Sequence, residues 1–171
     1  MESLKAKIRD IRDFPKPGVV FKDITPLLAD GPSFRALTEA LAGRFAGRKV
    51  DLVVGVEARG FVIGSAVAYV LGAGIVLIRK KGKLPYKTHK AIYQLEYGTD
   101  TLEIHEDAIK PGQRVVIVDD LLATGGTVSA AIDLVNKQGG TVMGIGFLVE
   151  LTFLKGRERL QGQEVFSLVQ F

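Results

Sequence analysis

Between residues 33 and 46, Phe34, Leu37, Leu41 and Phe45 recur at three- and four-residue spacing, which predicts an amphipathic helix capped by Asp30 or Ser33. The next apolar run, D-L-V-V-G-V at 51–56, is short and valine-rich, as a strand buried on both faces would be. A helix over 61–71 and a second buried strand over 74–78 follow. Strand, helix and strand in this rhythm predict a parallel sheet covered by helices.

The rhythm breaks at 79–105. I-Y-Q-L-E-Y (92–97) and T-L-E-I-H (101–105) alternate apolar and polar residues around a turn at 98–100, which predicts an antiparallel hairpin built onto the core. The earlier pattern then resumes: a strand at 114–118, a helix from about Thr127 to Gln138, a stop at Gly139–Gly140, and strands at 141–149 and 164–169. No internal repeat, low-complexity tract or flexible linker interrupts the chain, so 1–171 is expected to be a single domain.

Composition narrows the class only a little. The 171 residues include no cysteine, which excludes disulfides and thiolate metal sites. No apolar stretch approaches the roughly 18 residues of a membrane span, and the charged start M-E-S-L-K-A-K-I-R-D lacks the apolar centre of a secretory signal, so a cytoplasmic location is expected. Charge is more informative. Arg79, Lys80, Lys81, Lys83, Lys87 and Lys90 lie together with no acid before Glu96, a run that suits either a solvated loop or a polyanion.

The chemistry concentrates in V-V-I-V-D-D-L-L-A-T-G-G-T at 115–127. In open parallel sheets ligands bind beyond the carboxyl ends of strands, where this run lies. Thr124, Gly125, Gly126 and Thr127 bring N–H groups and hydroxyls to a helix N-terminus, which favours a phosphate. Asp119 and Asp120 cannot both be buried without partners, and sugar hydroxyls or a cation would satisfy them. Either half alone would be an ordinary strand end or helix cap; together they describe a cradle for ribose 5-phosphate. No P-loop, dinucleotide fingerprint or nucleophile elbow is present, and His89 and His105 do not have zinc-site spacing.

The run at 115–127 resembles the phosphoribosyl-diphosphate (PRPP) signature of the type I phosphoribosyltransferases. The stretches F-P-K-P-G-V-V-F-K-D-I-T-P-L-L (14–28), V-E-A-R-G-F (56–61), I-R-K-K-G-K-L-P (78–85), Q-L-E-Y-G (94–98) and L-E-I-H-E-D-A-I-K-P-G (102–112) are similar to the adenine-specific branch of that family. The resemblance implies an α/β fold, a mainly parallel twisted sheet flanked by helices, with a small N-terminal hood (about 1–34) and a β-hairpin flap (about 80–105). It further implies transfer of the 5-phosphoribosyl group from PRPP to N9 of adenine, giving AMP and diphosphate in purine salvage, with Mg²⁺ carried by PRPP rather than by protein ligands. A homodimer without membrane or nucleic-acid partners is also implied.

Position by position, the resemblance assigns the ribose hydroxyls to Asp119 and Asp120 and the 5-phosphate to Ala123, Thr124, Gly125, Gly126 and Thr127. Glu57-Ala58-Arg59-Gly60 matches the diphosphate loop, with Arg59 on the diphosphate and a non-proline cis peptide at 57–58 or 58–59. Arg79, Lys80 and Lys83 match further cations of that subsite, whereas Lys87 and Lys90 have no counterpart and are expected to be solvated. Phe21 and Leu121 would sandwich the purine while the backbone of Val20 and Lys22 reads its edge. Glu96 matches the family's general acid/base, acting at the purine while N9 becomes nucleophilic, and Tyr97 would help close the flap. Without the resemblance, Arg59 would be a surface turn residue, Phe21 a core residue and Glu96 a solvated one.

Two other readings stay open on the sequence: a transferase for a 6-oxopurine, and a PRPP-sensing regulator that binds nucleic acid, which the pI near 9.3 favours. Glu96→Gln is expected to lower kcat far more than it changes the KM for PRPP in steady-state assays. Wild-type turnover in that variant would remove the acid/base assignment.

Overall fold

A computed structural model describes residues 2–94 and 99–171. Glu96 and Tyr97 therefore lie outside the described residues. The main elements are α1 (Glu2–Lys5), β1 (Arg9–Arg12), β2 (Val20–Asp23), α2 (Thr25–Ala29), α3 (Gly31–Phe45), β3 (Leu52–Val56), α4 (Arg59–Leu71), β4 (Gly74–Lys80), β5 (Thr88–Gln94), β6 (Thr99–His105), β7 (Arg114–Leu122), α5 (Gly126–Lys137), β8 (Thr141–Glu150) and β9 (Val165–Gln170). Two short 3-10 turns, Thr152–Leu154 and Gly156–Leu160, join β8 to β9.

Among the described residues, seven strands form one sheet in the order β5-β6-β4-β3-β7-β8-β9. β4, β3, β7, β8 and β9 run parallel, and β6 and β5 add an antiparallel hairpin at one edge. The continuous apolar runs arise because both faces of the central strands are covered. Val54, Val56, Val76, Ile78 and Ile117 pack with Val128 and Leu134 of α5 on one side. Val53, Val116 and Val118 pack with Leu37, Leu41 and Phe45 of α3 and Ile63 and Val67 of α4 on the other. Each such side chain contributes roughly 1.5–3 kcal/mol on burial.

The predicted α/β class holds, with differences at element ends. β7 continues through Asp119 and Asp120 to Leu122 instead of stopping at 118, because β8 runs alongside as far as Glu150 and keeps its backbone paired. α4 begins at Arg59 and α3 at Gly31, where the Asp30 carboxylate accepts from the Ser33 N–H (3.0 Å). β1 had no legible pattern. It pairs antiparallel with β2 to form a separate two-stranded sheet at the N-terminal end. Arg9 and the Thr25 N–H both bind Asp23, and the Thr25 N–H first, then Arg9, hold that carboxyl down at about 2. Lys90 is exposed, as expected, and its ammonium also pairs with the buried Glu103 (3.2 Å).

The order of the sheet positions the site. From β3 the chain moves outward to β4, then returns to place β7 on the other side of β3. The carboxyl ends of β3 and β7 thus flank a switch point, the place where open α/β sheets leave a crevice. α4 is drawn close over this crevice by Gly55 of β3: a Cβ there would lie 3.1 Å from the Gly60 carbonyl oxygen. Gly55→Val is expected to cost about 1–3 kcal/mol of stability through overpacking, measured by chemical denaturation. An unchanged midpoint would show that α4 is free to shift.

Candidate active site

At the end of β7, Asp119 and Asp120 are 7% and 8% exposed. Arg59, the first residue of α4, pairs with Asp120 at 2.8 Å, so the ends of β3 and β7 are joined across the switch point. Asp119 accepts the Asp120 N–H at 2.9 Å and forms no ion pair among the described residues. Burial first, then the charge of Asp120, pushes the Asp119 carboxyl well above the ordinary aspartate value of 3.8. Burial also raises Asp120, with Arg59 opposing. The pair is therefore a set of enclosed oxygens short of donors, which sugar hydroxyls would supply.

Immediately after β7, the loop through Ala123, Thr124, Gly125, Gly126 and Thr127 borders a cavity of about 50 Å³. Gly125 has a φ of +81° and begins α5, and a Cβ on it would come 2.6 Å from the Gly156 carbonyl oxygen. Only glycine satisfies both the left-handed backbone and this close approach. The 3-10 turn carrying Gly156 thus backs the loop from behind. A buried carboxylate anchors that turn: Glu150 accepts from Arg157 through both oxygens at 2.7 Å. The sequence pattern had not singled out this support, and its one visible trace is the G-R-E-R run at 156–159.

The third side of the site comes from β4 and the residues after it. Glu57 lies at the end of β3, and the peptide bond between Glu57 and Ala58 is cis, one of the two positions expected. Its carboxylate binds Arg79 and Lys83, and Lys80 pairs with Asp100 of β6 at 3.4 Å. Arg79, Lys80 and Lys83 are therefore gathered, but each already has an internal carboxylate. Tyr93 of β5 adds its hydroxyl to the same Asp100 (3.3 Å). The sequence reading placed Glu57 in the diphosphate loop and Asp100 in the hairpin turn but gave neither carboxylate a role; the acid opening E-A-R-G beside a basic strand end was the available signal.

Phe21 of β2 reaches the same crevice from the hood. The Arg59 guanidinium lies 5.0 Å from its ring centroid, and Phe14 meets the ring edge-on at 5.2 Å. The Lys22 ammonium is engaged elsewhere, with Asp10 (2.6 Å) and over the Phe171 ring (3.9 Å), so only its backbone is available to the crevice. Val20 is exposed, and Leu121 is half-buried directly after the acid pair.

A mainly parallel sheet with a glycine-rich loop, an acid pair and a cation cluster at its switch point is the arrangement expected of a phosphoribosyltransferase, and the sequence matches the Phosphoribosyl transferase domain family over residues 24–166. Adenine phosphoribosyltransferase of Syntrophotalea carbinolica is 63% identical over 171 residues, spanning 100% of both chains. Among solved structures, adenine phosphoribosyltransferase from Thermoanaerobacter pseudethanolicus matches with a TM-score of 0.97 at 56% identity, covering 99% of each chain. The enzyme from Saccharomyces cerevisiae, complexed with D-2,5-dideoxy-2,5-imino-altritol 1,6-bisphosphate and adenine, matches at 0.91 and 40% identity, over 97% of this chain and 96% of that one. The chain belongs to the adenine phosphoribosyltransferase family.

The raised Asp119 has a consequence for stability. Its folded form retains a proton that the unfolded chain has released, so this group removes stability as pH rises from about 3.8 through the raised value. Asp119→Asn is expected to raise Tm at neutral pH, with the gain vanishing below pH 3.8, where both states are protonated. Combined with Asp120→Asn it should weaken PRPP binding. Calorimetry with and without PRPP checks both, and unchanged affinity would rule out the ribose role.

Proposed function

We propose that the chain transfers the 5-phosphoribosyl group from PRPP to N9 of adenine, releasing AMP and diphosphate, as a purine-salvage enzyme. The observation that carries this reading is the Arg59–Asp120 pair at 2.8 Å, which sets the ribose acceptors beside the diphosphate loop at the switch point. The S. cerevisiae relative with adenine and an imino-sugar bisphosphate supports the same pairing of base and phosphorylated sugar.

The reaction separates the sugar C1 from diphosphate through a transition state of oxocarbenium character. Asp119 and Asp120 hold the ribose hydroxyls, and residues 123–127 hold the 5-phosphate, which together fix C1 in the crevice. Arg59, Arg79, Lys80 and Lys83 face the departing diphosphate and neutralise its growing charge. Phe21 and Leu121 sandwich the purine, with the backbone of Val20 and Lys22 on its edge. Glu96 handles the purine proton, and Tyr97 closes the flap against water.

A Mg²⁺ ion would arrive on PRPP, as the family resemblance implies, since Asp120 is already engaged by Arg59. Phosphate oxygens and water are the ordinary partners of this ion. When bound with PRPP it would neutralise diphosphate charge.

We also infer a homodimer. Val62, Tyr69 and Val70 of α4 and Ile75 and Leu77 of β4 are exposed where that helix and strand adjoin, an apolar surface that a second copy would cover. No described helix is long and apolar enough to cross a membrane.

Purified protein is expected to make AMP from adenine and PRPP, and to release little diphosphate with hypoxanthine, guanine or xanthine. Its sedimentation should correspond to twice the chain mass. Absence of AMP would sink the assignment, and a monomer would sink the dimer alone.

A further inference from the structure

The cations facing the diphosphate subsite are held by a carboxylate that the reaction scheme does not use. Glu57, whose side chain is 9% exposed, accepts from Lys83 Nζ (2.5 Å), the Lys80 N–H (3.0 Å) and Arg79 Nε (3.2 Å). Arg79 donates in turn to the Lys83 carbonyl at 3.1 Å, closing a ring of contacts between the end of β3 and the turn after β4. Burial opposes ionisation of Glu57, but Lys83, the Lys80 N–H and Arg79 outweigh it and hold the carboxyl below its ordinary value. One negative charge is thus shared by two side-chain cations at the place where a polyanion is to bind and leave.

Two demands conflict at such a site. Long basic side chains lose rotamer freedom when they bind, so holding them in place beforehand reduces the cost of meeting a ligand. Bare cations held in place would also retain the diphosphate product, and product release limits turnover in many enzymes. A resident carboxylate answers both, since it fixes the cations and competes for them.

We propose that Glu57 is a positioning residue that stands in for the leaving group: it holds Arg79 and Lys83 in place in the free enzyme and competes with bound diphosphate, speeding its release. No bond to Glu57 forms or breaks. The proposal rests on the reading of these cations as the diphosphate subsite.

The test is calorimetric titration with inorganic diphosphate in the presence of Mg²⁺, for wild type and Glu57→Gln. Glutamine keeps an acceptor for the Lys80 N–H and loses the charge. Diphosphate should bind about tenfold more tightly to this variant, because the competing charge is gone while solvent and the remaining cations screen the gain. Its kcat should fall as release slows, and the KM for adenine should fall in proportion, leaving kcat/KM unchanged. In a Lys83→Met background the same substitution should tighten binding less, because the two groups are coupled. A purely structural role predicts the opposite sign, weaker diphosphate binding.

Equal or weaker binding by folded Glu57→Gln, with folding verified by thermal unfolding, overturns the proposal. If that variant does not fold, Glu57→Asp decides. Its shorter arm cannot span both cations, so it should show intermediate tightening, and unchanged or weaker binding overturns the proposal equally. Wild-type protein that binds no diphosphate overturns the subsite reading and this proposal together. Wild-type binding without tightening in the variants overturns this proposal alone.

Discussion

The contact between Arg59 and Asp120 ties together two strand ends that the chain reaches 61 residues apart. It depends on topology, because β3 and β7 are neighbours only through the outward crossover to β4 and the return. It also determines how much buried charge the crevice tolerates. An isolated carboxylate there would cost several kcal/mol, and Arg59 relieves Asp120. Asp119 is left to settle nearer its protonated form. The crevice therefore contains oxygen acceptors under tension from burial, which a polyhydroxylated ligand relieves.

The same logic extends across the rest of the site. Arg59 is matched with Asp120, Arg79 and Lys83 with Glu57, and Lys80 with Asp100. Within the run that reads in the sequence as uncompensated positive charge, Arg79, Lys80, Lys83 and Lys90 each meet a carboxylate once folded. On the proposed reading, binding a diphosphate is an exchange of ion-pair partners, and its strength depends on differences between partners more than on the count of cations.

Rigid support lies behind the crevice. Gly125 takes its left-handed turn against the Gly156 carbonyl, and Arg157 on Glu150 anchors the 3-10 turn that carries that carbonyl. Phe21 lies in a hood of its own, a two-stranded sheet clasped by Arg9, Asp23 and Thr25, and reaches the crevice where Arg59 meets its ring. The base side and the phosphate side thus meet at one guanidinium.

Local sequence determined the strands, the helices and the phosphate loop, because apolar periodicity and glycine placement are properties of neighbouring residues. Val53–Val56 and Val115–Val118 were legible as doubly buried strands for that reason, whereas 74–78 read the same way but leaves Ile75 and Leu77 exposed on one face, because no described helix fully covers them. The motif at 115–127 likewise suggested a ribose-phosphate cradle, and its wider resemblance identified the family. Tertiary structure alone decided that β7 extends through the acid pair, since the paired backbone of β8 is what prolongs it. It alone decided that Lys90 serves Glu103, that Glu57 collects Arg79 and Lys83, and that Gly156 backs Gly125. A charge in a sequence has no partner until the chain folds, and partners far apart along the chain leave no local pattern by which to find them.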